Sequence, residues 1–427
     1  MTFETFGLSE PILRAVKEQN YHTPTPIQAQ AIPVVAKGHD VLAAAQTGTG
    51  KTASFVLPLL QRLSATPSAK NNQATILILA PTRELAAQIH ESVLQYGQYL
   101  RIRSAVVFSG IKINPQMMKL RSGVEILVAT PGRLLDLYQQ RAIRFEQLTT
   151  LVLDEADRML DMGFIHDIKK IVNLLPKTRQ TLLFSATFSP EINQLAKNFL
   201  RSPIEISVTP RNAAAPSVKQ WMHPVDKSRK PALLSFLLRK ENWGQALVFT
   251  RTKHGANKLV KLLATEGIQS SAIHGNKSQA QRTKALGEFK QGKLHVLVAT
   301  DIAARGIDID QLPAVINFDL PQVAEDYVHR IGRTGRAGTE GHAVSLVSAD
   351  EFNQLQSIER FIKRKLERII VDDFYPEHTV PASKSSATPH HSAHRSQQHA
   401  VKKGTASHHQ NKIRREAPAK PKKLSKD

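Results

Sequence analysis

The chain has 427 residues, too many for one ordinary hydrophobic core, so its length predicts two domains with additional segments. It contains no cysteine, which excludes disulfides and cysteine-ligated metal sites and fits a reducing cytoplasm. Its net charge is +22, from 58 lysines and arginines against 36 acidic residues, and this surplus makes a polyanion the first partner to expect.

Strand-like apolar runs recur in the first half of the chain, and a turn and a helix-like stretch follow each of them: DVLAAAQTGTGKT, ATILILAPTREL, VEILVATPGRL, LVLDEADRM and QTLLFSATFS. Buried aliphatic strands that alternate with helices predict parallel βαβ units. The alternation resumes with QALVFTRTKHG, SSAIHGNKSQ, HVLVATDIAARG, AVINFDLP and AVSLVS. The predicted fold class is α/β, with parallel-sheet domains over residues 1–206 and 219–372.

Two segments interrupt or follow this pattern. SVTPRNAAAPSV (residues 207–218) is small and proline-punctuated, which predicts a linker. Within the last predicted segment, residues 373–427, large apolar side chains almost disappear after about residue 376, and residues 376–427 carry a net charge of +8. Such a segment buries too little surface to offset its ordering entropy, so we predict a disordered basic tail. We expect this tail to bind the phosphates of a polyanion without sequence choice, and an inert solubilising tail is the alternative.

A glycine-rich stretch, AQTGTGKT, follows the first strand-like run and precedes a helical stretch. Its glycines allow the backbone N–H groups to approach phosphates at a helix N-terminus. Lysine and threonine at its end are the residues that reach the β/γ-phosphates and a Mg²⁺ ion. The strict P-loop pattern begins with glycine where this chain has alanine, so a chance glycine-rich turn is the alternative. The predicted nucleotide-binding residues are Ala45, Gln46, Thr47, Gly48, Thr49, Gly50, Lys51 and Thr52.

The apolar run of LVLDEADRM ends directly in acidic residues. A protein core accepts adjacent carboxylates only where they meet a cation or a reacting group. A carboxylate at the end of a neighbouring strand is the expected second half of a P-loop site, so we assign Asp154 to Mg²⁺ together with Thr52. Glu155 would orient or deprotonate the attacking water. A helix start with acids in its first turn is the structural alternative.

Together these motifs resemble the DEAD-box ATP-dependent RNA helicases, since LVLDEAD contains the motif that names the family. The resemblance covers about residues 3–370, and SATFS, VFTRTKHGAN, HGNKSQ and DMGFIHDIKK look most like the bacterial RhlE-type branch. It implies two RecA-like domains, ATP and Mg²⁺ as cofactors, and RNA as the partner. It also implies that RNA binding drives ATP hydrolysis, with local unwinding of short duplexes or remodelling of RNA–protein complexes.

The resemblance assigns further residues to the nucleotide. In YHTPTPIQ it makes Gln28 the amide that selects adenine, while Tyr21 and Phe6 are candidates for packing on the purine. Taken alone, Gln28 would be a loop amide and Phe6 a core residue.

In HRIGRTGR, three arginines are spaced three apart: Arg330, Arg333 and Arg336. The resemblance makes Arg333 and Arg336 arginine fingers on the γ-phosphate, and Asp308 a contact to the ribose or to a finger. Without it, a solvated basic helix face is the better interpretation.

The resemblance also assigns residues to RNA and to coupling. Loops at strand ends carry hydroxyl and basic side chains that suit sugar–phosphate contact: Thr82, Arg83, Thr130, Arg133, Arg251 and Thr300. Each of these alone would be an ordinary loop or cap residue. Ser185 and Thr187 are predicted to link the acidic motif to the RNA side. Where the family usually has Gly-Gly, this chain has Ser109-Gly110, and we expect a tuning effect on RNA contact.

The predicted function is an ATP-dependent RNA helicase that acts on structured RNA, with ribosomal RNA favoured. Ribosome assembly and RNA decay are both open, as are ribosomal or RNA-decay proteins as partners. The rivals are a DNA helicase and a non-enzymatic RNA-binding module. No apolar run approaches the roughly 18–20 residues of a transmembrane helix, and MTFETFGLSE lacks the apolar stretch of a signal peptide, so we expect a cytoplasmic protein with no membrane partner.

Overall fold

The computed structural model describes residues 2–45, 49–208, 218–304, 309, 312–335 and 340–381. These residues belong to one compact unit. The strands are β1 Val41–Ala44, β2 Ala74–Leu79, β3 Ser104–Val107, β4 Val124–Ala129, β5 Thr150–Leu153, β6 Gln180–Ser185, β7 Ile204–Ser207, β8 Val218–Pro224, β9 Ala246–Phe249, β10 Ser270–Ile273, β11 Val296–Ala299, β12 Ala314–Asn317, β13 Gly341–Val347 and β14 Glu367–Arg368.

The helices alternate with these strands. They are α1 Glu10–Glu18, α2 Pro26–Ala36, α3 Lys51–Leu63, α4 Arg83–Tyr96, α5 Asn114–Leu120, α6 Pro131–Gln139, α7 Ala156–Asp161, α8 Ile165–Leu174, α9 Pro190–Phe199, α10 Lys230–Lys240, α11 Lys253–Thr265, α12 Gln279–Lys290, α13 Asp301–Ala304, α14 Ala324–Ile331 and α15 Phe352–Phe361, with short 3₁₀ turns at Phe3–Phe6 and Ala349–Glu351. Among the described residues, no helix is both long and apolar enough to cross a membrane.

The strands form two seven-stranded parallel sheets, which confirms the predicted fold class. The first sheet has the order β3-β4-β2-β5-β6-β1-β7, and the second has the order β10-β11-β9-β12-β13-β8-β14. Counted within each domain, the two orders are the same. The central strands are fully buried aliphatic runs because helices cover both faces of each sheet. In a parallel sheet all carboxyl ends lie at one edge, so loops from separate parts of the sequence meet there.

The structure differs from the sequence prediction at the domain ends. The predicted linker 207–218 lies mainly on residues outside the described part, while Ser207 ends β7 and Val218 begins β8. The tail was predicted to begin at 373, but residues 373–381 pack on the second domain. Phe374 lies 5.6 Å from the ring of Phe236, and Val380 is buried. Two apolar anchors therefore hold a stretch whose average composition suggested disorder. Residues 382–427 lie outside the described residues.

Candidate active site and nucleic-acid interface

The glycine-rich stretch lies at the carboxyl end of β1. The backbone N–H of Ala45 donates to the carbonyl of Ser185, at 3.0 Å, which joins this end of β1 to the end of β6. Gly50 has φ +89°, and a Cβ there would overlap with the amide of Gln28, so only glycine fits. Lys51 is the first residue of α3 and is 6% exposed, and its Nζ has no hydrogen-bond partner among the described residues. Gln46, Thr47 and Gly48 lie outside the described residues.

The adjoining residues of the predicted nucleotide site flank Lys51. Thr49 lies before α3, and Thr52, half-buried, is the second residue of that helix.

The amide of Gln28 is fixed against this stretch. Its Oε1 accepts from the backbone N–H of Thr25 at 2.9 Å, and its Nε2 donates to the carbonyl of Gly50 at 3.2 Å. Gln28 is therefore a buried amide that ties the start of α2 to the start of α3. Contact with adenine stays a prediction for this residue, and the second lone pair of Oε1 and the second hydrogen of Nε2 are the groups available for it.

The two aromatic candidates for the purine lie near this region in different surroundings. Phe6 packs edge-on against Phe3, with ring centroids 6.0 Å apart, and joins the core of the first domain. Tyr21 is 43% exposed and lies 6.3 Å from the ring of Tyr96. Tyr21 is thus the more accessible of the two, and the role of each against a purine stays a prediction.

The acidic residues after β5 are buried. Asp154 and Glu155 are 2% and 3% exposed, and Asp154 Oδ1 accepts from the backbone N–H of Glu155 at 3.0 Å. Burial raises the pKa of Asp154 to about 6, although the nearby ammonium of Lys51 opposes the rise. Glu155 adopts φ 53° and ψ 52°, an unusual left-handed conformation for this residue type. Arg158 Nη1 donates to its carboxylate at 3.0 Å, and this buried ion pair holds the strained residue in place.

Residues of the second domain reach this acidic cluster. Asp157 accepts hydrogen bonds from the backbone N–H groups of Arg158 and Ala186, at 2.9 and 2.8 Å. Burial opposes ionisation of Asp157, but the charge of His329 from the second domain, followed by that of Lys51, lowers its pKa. Asp157 therefore interacts electrostatically with His329, which lies on α14 of the second domain.

These groups fit a Mg²⁺–nucleotide complex. A buried lysine ammonium without a hydrogen-bond partner and a buried aspartate with a raised pKa are each costly unless a ligand supplies the opposite charge. Lys51 and Asp154 interact through their charges, yet the ammonium makes no hydrogen bond within the described residues and burial still raises the Asp154 pKa, so a phosphate and a divalent cation would stabilise both. Asp154, with the hydroxyl of Thr52 on the neighbouring helix start, forms an oxygen-donor set of the kind that Mg²⁺ prefers.

The arginine motif lies at the end of α14 and differs from the predicted helix face. Arg330 is 2% exposed and makes a bidentate pair with Asp301, at 2.6 and 2.8 Å, and it also donates to Asn317 Oδ1 at 3.0 Å. Arg333 is 4% exposed and follows the helix, which ends at Ile331. A solvated basic face is therefore excluded for both. Arg336 and Asp308 lie outside the described residues.

The proposed RNA residues of the first domain follow β2 and β4. Thr82 caps α4 by accepting from the backbone N–H of Leu85 at 3.3 Å, as an ordinary cap residue does. Thr130 and Arg133 are buried, and the Thr130 hydroxyl, Arg133 Nε and Arg133 Nη1 have no hydrogen-bond partner among the described residues. The Arg133 guanidinium is nevertheless held in place, because Nε lies 3.6 Å from Asp136 Oδ2 and Nη2 donates to the Ile111 carbonyl at 3.1 Å. The Thr130 hydroxyl and Arg133 Nη1 are left as buried donors that could accept a further partner, and such donors are rare.

Arg83 lies beside Gly110, in the Ser109-Gly110 pair where this chain departs from the family pattern. Gly110 has φ +84°, and a Cβ there would overlap with the Arg83 guanidinium. Glycine is therefore required at position 110, and this chain retains the second glycine of the family's Gly-Gly pair there. Ser109, where the family's first glycine stands, is half-buried and has no positive φ.

The proposed RNA residues of the second domain follow β9 and β11. Arg251 Nη2 pairs with Glu351 Oε1 at 3.1 Å, and its backbone N–H donates to Asp319 Oδ2 at 2.8 Å. Its side chain remains 38% exposed, so the guanidinium is oriented and still accessible. Thr300 is half-buried at the start of α13, where its carbonyl accepts from Ala304 at 2.9 Å.

The proposed coupling residues lie where the acidic cluster meets β6. Ser185 is fully buried, and its Oγ accepts from the backbone N–H of Thr187 at 3.3 Å. The residue between them, Ala186, donates to Asp157, so this turn and the acidic motif share hydrogen bonds.

Sequence reasoning missed the contacts that join the domains. Glu84 of the first domain accepts from Gln279 Nε2 at 3.0 Å and pairs with Arg282 at 2.9 Å. Both members of the Arg282–Glu84 pair are nearly buried, so solvent screens it little. Both partners lie close to quoted motifs, in PTREL and after HGNKSQ, but neither pattern indicates a contact across about two hundred residues.

Comparisons with known proteins cover both domains. A DEAD/DEAH box helicase family model matches residues 25–195, and a helicase conserved C-terminal domain model matches residues 229–338. The DEAD-box ATP-dependent RNA helicase CshA of Bacillus anthracis is 43% identical over 368 residues, or 86% of this chain and 69% of that protein. CshA of Geobacillus kaustophilus is 42% identical over 86% of this chain and 78% of that protein.

Solved structures show the same similarity. S. cerevisiae Dbp5 bound to RNA and ADP BeF3 matches with a TM-score of 0.78 at 32% identity, over 87% of this chain and 96% of that one. A point variant of S. cerevisiae Dbp5, bound to Nup159, a variant of Gle1, IP6 and ADP, matches with a TM-score of 0.61 at 30% identity, over 86% and 96%. A DEAD box protein from Methanococcus jannaschii matches with a TM-score of 0.51 at 38% identity, over 86% and 99%.

Proposed function

Because the chain belongs to the DEAD-box family of ATP-dependent RNA helicases, we propose that its two domains close on RNA to complete one ATPase site. The observation that carries this proposal is the contact across the domains, where Arg282 and Gln279 hold Glu84 and His329 faces Asp157. The higher TM-score against the RNA- and ADP BeF3-bound Dbp5 structure supports it. ATP hydrolysis would then require closure of the two domains, and closure would require bound RNA.

We assign the roles within the site as follows. Lys51 binds the β/γ-phosphates, and Thr52 and Asp154 hold Mg²⁺, which would neutralise phosphate charge when bound. Glu155, held by Arg158, orients the attacking water and takes its proton. Arg333 and Arg336 stabilise charge that develops on the γ-phosphoryl group, a contribution of about 10³–10⁵ in rate for such fingers.

RNA binding is the trigger in this scheme. The Thr130 hydroxyl and Arg133 Nη1 are buried without a hydrogen-bond partner in the described chain, and a phosphate oxygen is an acceptor that would satisfy both. From the second domain, Arg251 would contact the same RNA strand. Thr82, Arg83 and Thr300 belong to the motifs that we also assign to this RNA. These are contacts to the sugar–phosphate backbone, so binding would not depend on base sequence. Ser185 and Thr187 would couple RNA binding to the position of the acidic residues that follow β5.

The finer assignments are also proposals. We infer a cytoplasmic enzyme for structured RNA, ribosomal RNA above all, that remodels RNA–protein complexes in ribosome assembly or RNA decay. The RhlE-type branch is proposed on the quoted motifs alone, and the relatives at 42–43% identity carry the name of a different branch, CshA.

The test is ATP turnover by the wild type and by Glu155→Gln, each with no nucleic acid, single-stranded RNA, duplex RNA and matched DNA. We expect RNA alone to stimulate the wild type strongly. The variant should bind ATP and RNA and barely turn over, because its amide cannot take a proton.

Two outcomes would contradict the proposal. Equal stimulation by DNA would mean that the substrate class is wrong. Full turnover without nucleic acid would mean that closure does not wait for RNA, even if Glu155→Gln is inactive.

A further inference from the structure

One edge of the first sheet lies opposite the catalytic edge. Since all seven strands run parallel, residues that precede strands lie at one edge and residues that follow them lie at the other. We define the amino edge as the loops before β1 to β7, at residues 37–40, 64–73, 97–103, 121–123, 140–149, 175–179 and 200–203. The P-loop and Asp154 lie at the opposite, carboxyl edge.

The amino edge is strongly basic. Its loops carry two acidic residues, Asp40 and Glu146, against ten lysines and arginines, a net charge of +8: Lys37, Lys70, Arg101, Arg103, Arg121, Arg141, Arg144, Lys177, Arg179 and Arg201. The loops that follow β1 to β6 carry Lys112 against Asp154 and Glu155, a net charge of −1. The positive charge of the loops of this domain is therefore concentrated at the amino edge, and the carboxyl edge has its basic residues at the helix starts, as in Lys51, Arg83 and Arg133.

These cations are mostly not neutralised within the chain. Arg103 pairs with Glu125 at 2.6 Å, and in the part of the chain that the structure describes the other nine have no carboxylate partner. Asp40 is buried and accepts from backbone N–H groups instead. Burial, followed by the adjacent charge of Arg201, lowers the pKa of Arg179. Holding like charges together costs free energy, which a bound polyanion would recover.

Hydrogen bonds join the loops into one surface. Asn72 connects two of them, donating through its backbone N–H to the Arg121 carbonyl at 3.2 Å and accepting from the Arg144 N–H at 2.7 Å. Arg201 donates to the Lys177 carbonyl at one side of the sheet. Seven strands at a spacing of about 4.8 Å make this row about 29 Å wide. Near its middle, a cavity of about 730 Å³ is lined by Tyr138, Arg141 and Arg144 among others.

We propose that the amino edge is a second RNA-binding surface, which holds the phosphates of RNA that extends beyond the cleft between the domains. The chain's own tail cannot be the occupant, because residues 376–427 also carry a net charge of +8. RNA is the polyanion that this enzyme already binds, and strands of four to six residues put the two edges only about 13–20 Å apart. An RNA that leaves the cleft can therefore reach the amino edge over the surface of one domain.

The test uses the full chain and a triple variant, Arg121→Glu, Arg144→Glu and Lys177→Glu, in which all three side chains are exposed. Two RNAs are compared: a single strand that fills only the cleft, and the same strand extended by a duplex. We expect affinity for the extended RNA to fall about tenfold and its log–log salt slope to flatten by about three, from about 0.9 per phosphate contact on a duplex. Affinity and ATPase stimulation by the short strand should stay unchanged.

The matched control moves the same charge on the second domain, through Lys258→Glu, Lys261→Glu and Lys293→Glu at exposed positions. Thermal unfolding of both variants establishes that each is folded. Equal losses in the two triple variants would mean that only net charge matters, which overturns the proposal. An equal loss of affinity for the short strand would place the effect in the cleft between the domains. That result would overturn the second RNA-binding surface and would not affect the proposal that RNA drives domain closure.

A direct readout separates RNA from an acidic protein partner. A photo-crosslinker in the duplex extension should label peptides of the 140–149 loop in the wild type. Unchanged RNA affinity in the Arg121, Arg144 and Lys177 variant, together with lost binding of polyglutamate, would assign the amino edge to an acidic protein and overturn the RNA proposal.

Discussion

The two sheets share one strand order, yet the glycine-rich stretch AQTGTGKT belongs to the first domain, and the equivalent helices of the two domains begin in different surroundings. In each domain a lysine begins the helix that follows the strand in sixth place, Lys51 after β1 and Lys230 after β8. Both are nearly buried, at 6% and 1% exposure. The Nζ of Lys51 has no hydrogen-bond partner in the described chain, while that of Lys230 donates to the Glu351 carboxylate and to the Phe318 carbonyl.

The difference shows how one fold serves two purposes. Glu351 follows β13, the counterpart of β6, and supplies from within the chain the negative charge that a phosphate would supply to Lys51. Its other oxygen accepts from Arg251, so the carboxylate that neutralises Lys230 also orients a proposed RNA contact. The lysine of the first domain is thus available to a ligand. The equivalent lysine of the second domain is bound to Glu351 and Phe318 within the chain.

The largest effect is expected on stability in the second domain. Lys230→Met leaves the buried Glu351 carboxylate with Arg251 as its remaining cation, and removing one partner of a buried pair costs up to about 3–5 kcal/mol. Urea unfolding of the second domain measures this loss. The double variant Lys230→Met, Glu351→Leu removes both charges and should recover most of it. Wild-type stability in the single variant would mean that the pair is not neutralising Lys230.

In the first domain we expect the equivalent change to act on catalysis. Lys51→Met removes a fixed donor from the phosphates, and loss of one such donor lowers kcat by about 10²–10³. The free energy of unfolding should change less than in Lys230→Met, because the Lys51 ammonium makes no hydrogen bond in the described chain and acts on Asp154 and Asp157 only through its charge. RNA-stimulated ATPase and urea unfolding measure the two effects. A stability loss as large as that of Lys230→Met would remove the distinction between the lysines.

The pH dependence of stability tests whether burial of Asp154 raises its pKa in the folded protein. The folded pKa of Asp154, about 6, exceeds the value of 3.8 for an ordinary aspartate, so the native state binds this proton more tightly than the unfolded state does. Stability of the ligand-free protein should therefore fall as pH rises through this window, by about 2–3 kcal/mol. Asp154→Asn should abolish the decline, and Asp319→Asn in the second domain should leave it in place. A decline that persists in Asp154→Asn would assign it to another group.

Much of this architecture was available from the sequence, because buried parallel strands read as aliphatic runs. LVL before Asp154 and LVF before Thr250 each mark a central strand followed by a loop at the carboxyl edge. The strands β7 and β8 were missed since they lie beside the predicted linker, where IEIS and VKQWMHP alternate instead of forming a continuous run. Periodicity identifies a strand that is buried on both faces more readily than one near an edge.

The site was predictable as motifs and not as geometry. That Lys51, Asp154 and Glu155 meet follows from the parallel sheet, but the left-handed backbone of Glu155 and its ion pair with Arg158 have no signal in DEADR. The pairing of Glu84 with Arg282 is also invisible, since it depends on how the domains pack. Lys230 was overlooked because no glycine-rich loop precedes it.

The smallest effect concerns the glycines after the equivalent strands β3 and β10. Gly110 has φ +84° and lies against the Arg83 guanidinium, whereas Gly275 has no positive φ and no atom within 4 Å of a Cβ built on it. Gly110→Ala should cost about 1 kcal/mol and displace Arg83, which weakens RNA binding about fivefold. Gly275→Ala is the matched control and should bind RNA as the wild type does. Equal RNA affinity in both variants would mean that Arg83 does not contact RNA, and the first domain would then hold its strand through Thr130 and Arg133.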